Sequence, residues 1–515
     1  MENKIRAGVG KTDITAEPGA VIGDLLTEKA KRHIPSEFMA NKIAIDDPLY
    51  AKALVLEQGD CRLALITVDA TAVGCRTTSQ NILDDSADDF IPNLRRCLSG
   101  ELGIPPQNVS VCASHTHPPG RTLCSDQEQL RRTVDAVRQA IGSLTPVVVG
   151  AGSIRDVRLT FNRTSRLKSG LHGFGRMHDE EVASLGPVDT EIGVIRIDRV
   201  AGPPLAVVYN FASHILYNSP RDNISAGFPG IASGLFETAL GNGAMAFFIQ
   251  GAGGDVSCIS TASSEKINPR SAEETGLLLA QSVLKAHRGI RPSSADIQVV
   301  STTVDFPLRR DIPETIAALR RKQAELVASL QHLNIDFKMF LSLYLPYALY
   351  PEYPAHPVVR YLHADQTGDH EVPAMDRRNR AAIHGYLGNI RVMQELAVCE
   401  FKISTLAKHQ EIIDALGTRV VAAEIQGIRI GGAVLITAPM EVLTEIGLKV
   451  KKMSPFPNTC IASNANGYFH YACPASYYPL GSYEATECLL APEWEPAFYG
   501  AVREVFNRLQ AAGAV

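Results

Sequence analysis

The sequence has no Cys-x-x-Cys pair, no long block of like charge and no apolar run long enough to span a membrane. Each absence removes a class of protein. Ten cysteines scattered without paired spacing suit reduced, mostly buried thiols, and exclude a disulfide framework or a cysteine-built structural zinc site. The net charge of −5 over 515 residues leaves no footprint for a phosphate backbone, so no nucleic-acid partner is expected. The short basic clusters Lys29-Ala30-Lys31-Arg32 and Arg320-Arg321-Lys322 read as solvated faces. The start, Met1-Glu2-Asn3-Lys4-Ile5-Arg6, runs straight into a strand-like segment without the apolar core of a signal peptide. The expected location is therefore the cytoplasm, with no integral membrane segment.

What is present is a set of apolar strands that end on reactive side chains. The run from Val109 to Ala113 leads into Ser114-His115-Thr116-His117, and Pro118-Pro119-Gly120 closes it as a turn. A second run, Leu205 to Ala212, ends in Ser213-His214. A third, Ala244 to Gln250, empties into the glycine-rich Gly251-Ala252-Gly253-Gly254-Asp255-Val256-Ser257. A fourth, Gly432 to Pro439, ends on Met440-Glu441. Strand exits are where a layered α/β protein presents its chemistry. Histidines and a carboxylate there suit a metal, a general acid or both.

Charged residues at 20% and hydrophobic residues at 45% fit a globular protein. At this length two domains or one large elaborated unit is expected. Apolar runs at 62–69, 146–150 and 193–197 alternate with helical patterns. The fold class is therefore α/β in the layered α+β sense, with mixed sheets flanked by helices and a helical insertion. The segment 305–400 changes character. Asp311-Ile312-Pro313-Glu314 has the form of a helix start, with Asp and Glu three apart. Ile316, Leu319, Leu326, Leu330 and Leu333 recur beyond it at helical spacing. A Tyr- and Pro-rich stretch covers 344–351, and a second helical pattern covers roughly 376–398. The expected division is a core from 1–304 and 401–515, with 305–400 as an insertion bordering the site, either a packed hairpin or a lid.

Together these segments resemble the neutral/alkaline (non-lysosomal) ceramidases, which are zinc-dependent amidases. The resemblance is carried by Ala113-Ser114-His115-Thr116-His117, Phe161-Asn162-Arg163, Asn210-Phe211-Ala212-Ser213-His214, Gly254-Asp255-Val256-Ser257 and Pro439-Met440-Glu441. Asn466-Gly467-Tyr468-Phe469-His470-Tyr471, with Tyr483-Glu484-Ala485 beyond it, extends the likeness. It spans roughly residues 5–490, is weakest between about 305 and 400, and corresponds to the catalytic region without the Ig-like C-terminal domain.

The resemblance implies a Zn2+ held by His115, His214, Glu441 and Tyr471, leaving a position for water or substrate. Tyr471 also reads as an ordinary packing tyrosine. His117 is implied to line the substrate site without being a main ligand, where an imidazole donates to an oxyanion or shuttles a proton. Arg163 is implied to supply fixed positive charge, with a structural ion pair as the alternative. Ser257 is either a nucleophile or a positioner. The second is preferred, because a metal already generates hydroxide near neutral pH. Asp255 orients the turn or serves a purely structural role. His470 is a candidate neighbour of Tyr471, and His172 and His178 read as members of a solvated glycine-rich loop. Cys112 and Cys258 flank the motifs, but no cation stands near to make either a nucleophile.

One departure is plain. The family usually has Pro-Asn after the serine, whereas Cys258-Ile259 stand here. The expected function is a zinc-dependent hydrolase cleaving an amide C–N bond by a zinc-activated water. The substrate is expected to be a small-molecule or lipid-like N-acyl amide, smaller than or different from ceramide. A zinc esterase or lactonase, and a catalytically silent metal-stabilised binding protein, are the alternatives.

Overall fold

The apolar runs at 51–56 and 63–68 are too continuous for a sheet with one wet face. In the computed structural model both runs lie in strands buried on two sides. The structure describes residues 4–16, 19, 21, 44–74, 86–117, 124–174, 177–216, 223–258, 271–293 and 296–512. The turn at 118–120, the basic run at 29–32 and Gly175 of the glycine-rich loop lie outside them. The chain forms two compact units, one of Met1–Arg309 with Ile412–Val515, the other Arg310–Glu411.

In the first unit, β1 (Arg6–Asp13), β2 (Tyr50–Gln58) and β3 (Cys61–Val68) run antiparallel. Helix α1 (Phe90–Leu102) returns the chain to β4 (Val109–Ala113), parallel to β3. Helix α2 (Asp126–Gly142) precedes β5 (Thr145–Arg155). The short β6 (Thr160–Asn162), β7 (Ser165–Leu167) and β8 (Val182–Leu185) come next, then β9 (Glu191–Arg199) and β10 (Pro204–Phe211). Helix α3 (Gly227–Leu240) crosses over to β11 (Met245–Gln250), parallel to β10. Then come β12 (Val256–Cys258), α4 (Ala272–Gly289) and β13 (Ile297–Pro307). The eight-stranded mixed sheet has the order β11-β10-β9-β5-β1-β2-β3-β4.

The second unit holds α5 (Ile312–Ser329), α6 (Phe337–Leu349), α7 (Val358–Thr367) and most of α8 (Glu371–Leu416). Helix α5 starts where the sequence places it. Asp311 is its N-cap, yet with φ −88° and ψ 0° its carboxylate does not cap the helix. Helix α6 runs into the stretch that the sequence shows as rich in Tyr and Pro. It packs one stripe on α8, with Phe340 stacked on Tyr386 at 4.3 Å and Tyr347 bonded to Asp376 at 2.7 Å. Its other stripe, including Leu341, Leu345 and Leu349, is exposed.

Back in the first unit, β14 (Val420–Ile430), β15 (Ala433–Ala438) and β16 (Glu441–Val442) precede α9 (Thr444–Met453), β17 (Asn458–Ser463) and β18 (Tyr471–Ala472). The short α10 (Tyr483–Thr486) and α11 (Trp494–Ala512) end the described chain. The second sheet has the order β13-β14-β15-β17.

Side-chain alternation sorts the core into layers. Leu54, Leu65, Val208 and Phe247 of the first sheet meet Ile428, Leu435 and Ala462 of the second in one apolar cluster. On the other face of the first sheet, Ala53, Val55 and Ile66 pack on Leu94, Val137 and Ala140 of α1 and α2. Farther along that face, Val207, Tyr209 and Phe248 pack on Phe236, Leu279 and Val283 of α3 and α4. Helix α11 covers β13 and β14. The result is a helix–sheet–sheet–helix stack, the layered mixed α/β fold expected from the sequence.

Candidate metal centre

The site is assembled where strands of both sheets end. Beyond β4, the Ser114 amide bonds to Val68 O and the His115 amide to Ala70 O, at 2.9 and 2.8 Å. His115 then adopts φ +67°, a left-handed conformation uncommon for a side-chain-bearing residue. Thr116 pairs with Ile215 just beyond β10, so the chain leaving the edge strand β4 meets the chain leaving β10, the strand next to the opposite edge. The His214 amide bonds to Val256 O at 2.9 Å, and His214 pairs with Ser257. Glu441 and Tyr471 stand directly opposite one another across the parallel β16–β18 pair. Gly254 allows the close approach of these segments, since a Cβ there would lie 2.8 Å from Glu441 O.

Backbone carbonyls set the tautomers. His115 Nδ1 lies 2.9 Å from Thr71 O, and His214 Nδ1 lies 2.7 Å from Gly253 O. A carbonyl only accepts, so each Nδ1 carries the proton and each neutral ring turns an Nε2 lone pair inward. The two Nε2 atoms are 3.3 Å apart. Glu441 Oε2 is 3.2 Å from both. That oxygen is buried without a hydrogen bond, whereas Oε1 accepts one from the Tyr468 hydroxyl. His117 Nε2 is 3.0 Å from His115 Nε2, and the Tyr471 hydroxyl is 3.2 Å from His214 Nε2.

Lone pairs and an orphaned carboxylate oxygen facing one another in a buried pocket repel unless a cation lies among them. Zinc bonds of about 2.0–2.1 Å in tetrahedral array put donor atoms roughly 3.3 Å apart, close to the spacing observed. The residues therefore fit a divalent metal. His115, His117 and His214 form a three-imidazole cluster that could hold it. His117 joins this group through its Nε2, 3.0 Å from His115 Nε2.

Electrostatics favour the same occupant. Burial opposes the Glu441 charge, and the carboxyl is drawn well below the usual range only by positive charge at His115 and His214, charge that their neutral tautomers lack and a cation would supply. His117 is pushed far down by burial and by the two neighbouring imidazoles. Burial, then Arg163, brings His214 down to about 4. For His115 burial also acts downward, but Glu441 overrides it and the net direction is up.

Arg163 stands just beyond β6, its amide bonded to Asp255 O at 2.9 Å. Its guanidinium makes the ion pair raised by the sequence, Nε to Glu484 Oε1 at 3.1 Å. Nη2 also donates to Gly254 O at 2.9 Å and to the Tyr471 hydroxyl at 3.0 Å. The same residue is thus anchored structurally and aimed at the centre. Burial works against its charge, yet Tyr471, Glu484 and Glu441 raise its pKa.

Asp255 is fully buried. Its carboxylate accepts from Thr444 N and Oγ1, each at 2.8 Å, and from Asn162 Nδ2 at 2.7 Å. It ties the segments carrying Arg163, Ser257 and Glu441 together. Ser257 joins through its backbone, lying in β12 opposite Phe161 with its carbonyl accepting from Thr160 Oγ1 at 3.1 Å.

One residue differs from its sequence reading. His172 is not solvated: its ring lies buried edge-on against Tyr477 at 4.4 Å. The backbone carbonyl of His470, which accepts from the Glu441 amide at 2.9 Å, links it to the site. Burial pushes the Cys112 thiol up to about 12, so it is no nucleophile. The carbonyls of Thr71 and Gly253 carry no sequence signal. Tyr468 and Glu484 lay within the motifs that carry the resemblance, but nothing in the sequence marked their partners.

No protein-family model matches this chain, and no curated protein matches it. Solved structures that share its fold include two ceramidases. A neutral ceramidase from Pseudomonas aeruginosa superposes with a TM-score of 0.60 at 15% identity, over 99% of this chain and 75% of that one. A ceramidase complexed with C2 superposes with a TM-score of 0.61 at 16% identity, over 99% of this chain and 76% of that one. At these identities the likeness is one of fold. No helix among the described residues is long and apolar enough to cross a membrane.

Proposed function

We propose that this chain is a zinc-dependent hydrolase that cleaves the amide C–N bond of an N-acyl substrate smaller than, or different from, ceramide. The observation that carries the reading is the convergence of His115, His117, His214 and Glu441 Oε2 within 3.0–3.3 Å contacts, beside a Tyr471 hydroxyl bonded to Arg163. A purely structural site has no need of a guanidinium aimed at it. The shared fold with two ceramidases raises the amidase reading but does not transfer their substrate.

A bound divalent ion supplies Lewis-acid polarisation of a carbonyl and acidification of water. His115, His214, Glu441 and Tyr471 would hold it, with His117 beside them. His117, whose Nε2 lies 3.0 Å from His115 Nε2, is placed to accept a proton from the attacking water and return it to the leaving amine. Arg163, locked by Glu484 and Gly254 O, holds a permanent positive charge toward the oxygen that becomes anionic. Ser257 serves to position substrate, since the site has its own route to a nucleophile.

Elemental analysis of the purified chain, paired with hydrolysis of short- and long-chain N-acyl amides before and after chelation, tests this. About one zinc per chain with chelator-sensitive amide cleavage is expected. Esters run in parallel separate an amidase from an esterase. Absence of both metal and turnover would sink the proposal.

A further inference from the structure

We propose that Tyr468 is the positioning residue that keeps Glu441 presenting a single oxygen to the metal centre. The inference rests on the metal reading above and deepens it. The two oxygens of Glu441 are in unlike surroundings. Oε1 accepts a hydrogen bond from the Tyr468 hydroxyl, and Oε2 has no hydrogen bond and stands 3.2 Å from both His115 Nε2 and His214 Nε2. A carboxylate with two open oxygens is free to rotate or to chelate a cation through both. A phenol O–H on one of them prevents that, because the donor must be given up before Oε1 can turn inward. Partners that orient a ligating group in this way govern affinity as well as geometry.

Tyr468 is itself tightly placed. It is 4% exposed, and its ring packs on Ala72, the residue after the carbonyl that fixes His115 Nδ1. The loop carrying it is stitched to the strands that deliver two of the donors. Asn466 N bonds to Val111 O at 2.8 Å, and Asn466 Oδ1 accepts from Val111 N at 2.9 Å, both on the strand leading to His115. Phe469 N bonds to Pro439 O at 2.7 Å, and His470 O accepts from Glu441 N at 2.9 Å, both on the segment delivering Glu441. Asn464, Asn466 and His470 all hold positive φ, at 54°, 59° and 59°. Such conformations persist only where surrounding bonds over-determine them. The loop is thus built to deliver the Tyr468 hydroxyl to one atom.

The test removes that hydroxyl alone. For Tyr468→Phe, zinc affinity read by chelator competition is expected to fall about 10- to 100-fold. The melting temperature in chelator should stay near that of the unsubstituted protein. Tyr477→Phe is the control, because the Tyr477 hydroxyl donates to Glu445, at 3.0 Å, and not to the centre. Its zinc affinity should be unchanged.

A second measurement needs no variant. With 13C-labelled glutamate, the zinc-minus-chelator infrared difference spectrum of the unsubstituted protein should show the wide carboxylate splitting of one-oxygen binding. In Tyr468→Phe that splitting should narrow. Equal zinc affinity and equal splitting in Tyr468→Phe would overturn the inference and leave the metal reading standing. A two-oxygen signature in the unsubstituted protein would overturn it as well. Failure of the unsubstituted protein to take up zinc would overturn both.

Discussion

Replacing Glu441 by Gln separates a metal site from a hydrogen-bonded polar cluster, because the two accounts move the melting temperature in opposite directions. The side chain keeps its shape. The amide oxygen can still accept from Tyr468, and the amide N–H2 then replaces Oε2, pointing at the Nε2 lone pairs of His115 and His214. The variant has lost the anion that a cation needs and gained the donor that the imidazoles otherwise lack. In chelator it should therefore melt no lower than the unsubstituted protein, since relief of an orphaned buried acceptor is worth about 1–3 kcal/mol. With zinc the order reverses. At a thousandfold excess over the dissociation constant, binding to the folded state alone adds about 4 kcal/mol. For a unit of about 400 residues, with unfolding entropy near 2 cal/mol/K per residue, that is roughly 5 °C. The assay is four thermal melts, both proteins with zinc and with chelator. The expected pattern is a rise of about 5 °C for the unsubstituted protein and almost none for Glu441→Gln. A variant that still gains the full rise, or that melts several degrees lower in chelator, would refute the reasoning.

His214→Ala should lose bound zinc by elemental analysis, whereas Ser257→Ala should keep the zinc and lose turnover; retained zinc in the first removes His214 from the donor set. His117→Asn should slow amide cleavage by about 10²- to 10⁴-fold and ester cleavage much less, because an amine must be protonated to leave and an alkoxide need not be. Equal losses on matched amide and ester substrates would take the proton-transfer role from His117. Burial pushes the Asp69 carboxyl up to about 6, against the opposing pull of Lys52. The folded protein therefore holds this proton more tightly than the unfolded chain, so ionisation costs stability above about pH 6 and nothing below about pH 4. Asp69→Asn, which can keep the acceptor for Tyr50 N, should stabilise the protein by about 1–2 kcal/mol at pH 8 after allowing for partial exposure. The gain should vanish at pH 4, and a destabilised variant in denaturant titrations at pH 8 would count against it.

Strand exits were legible because a strand buried on both faces leaves a continuous apolar signature. Val109 to Ala113, Leu205 to Phe211 and Ala433 to Ala438 all lie in strands that end next to the reactive residues. The path of the backbone beyond each strand end was not legible. The positive φ of His115 depends on its amide reaching Ala70 O, a bond between two backbone groups that any residues carry. The carbonyls of Thr71 and Gly253 set both tautomers, yet no side chain announces a carbonyl. Helix α6 ends in the stretch that reads only as rich in Tyr and Pro; Pro346 stands in its last turn, where the Tyr350 amide still bonds to Pro346 O at 2.8 Å. At Asp311 the residue types of a capping motif were present and the helix began on cue. The N-cap backbone was not extended, so the carboxylate never reached the first-turn amides.

The two sheets divide the work at the centre. The eight-stranded sheet contributes the segments beyond β4 and β10, which meet at Thr116 and Ile215, and supplies only imidazoles there. Those imidazoles are neutral by tautomer and by burial, apart from the pull of Glu441 on His115. The segments beyond the second sheet contribute the anion, Glu441, and the phenol, Tyr471, held in register across one parallel pair. Neither half alone attracts a cation strongly: the first has donors without charge, the second has charge whose other oxygen is already committed to Tyr468. A complete donor set exists only when the sheets are packed face to face through Leu54, Val208, Ile428 and Leu435. Metal affinity in this fold should therefore report on packing between the sheets. A cavity opened there, as by Leu435→Ala, should weaken zinc binding without touching any donor, because the free energy of docking the two halves is drawn from the same contacts.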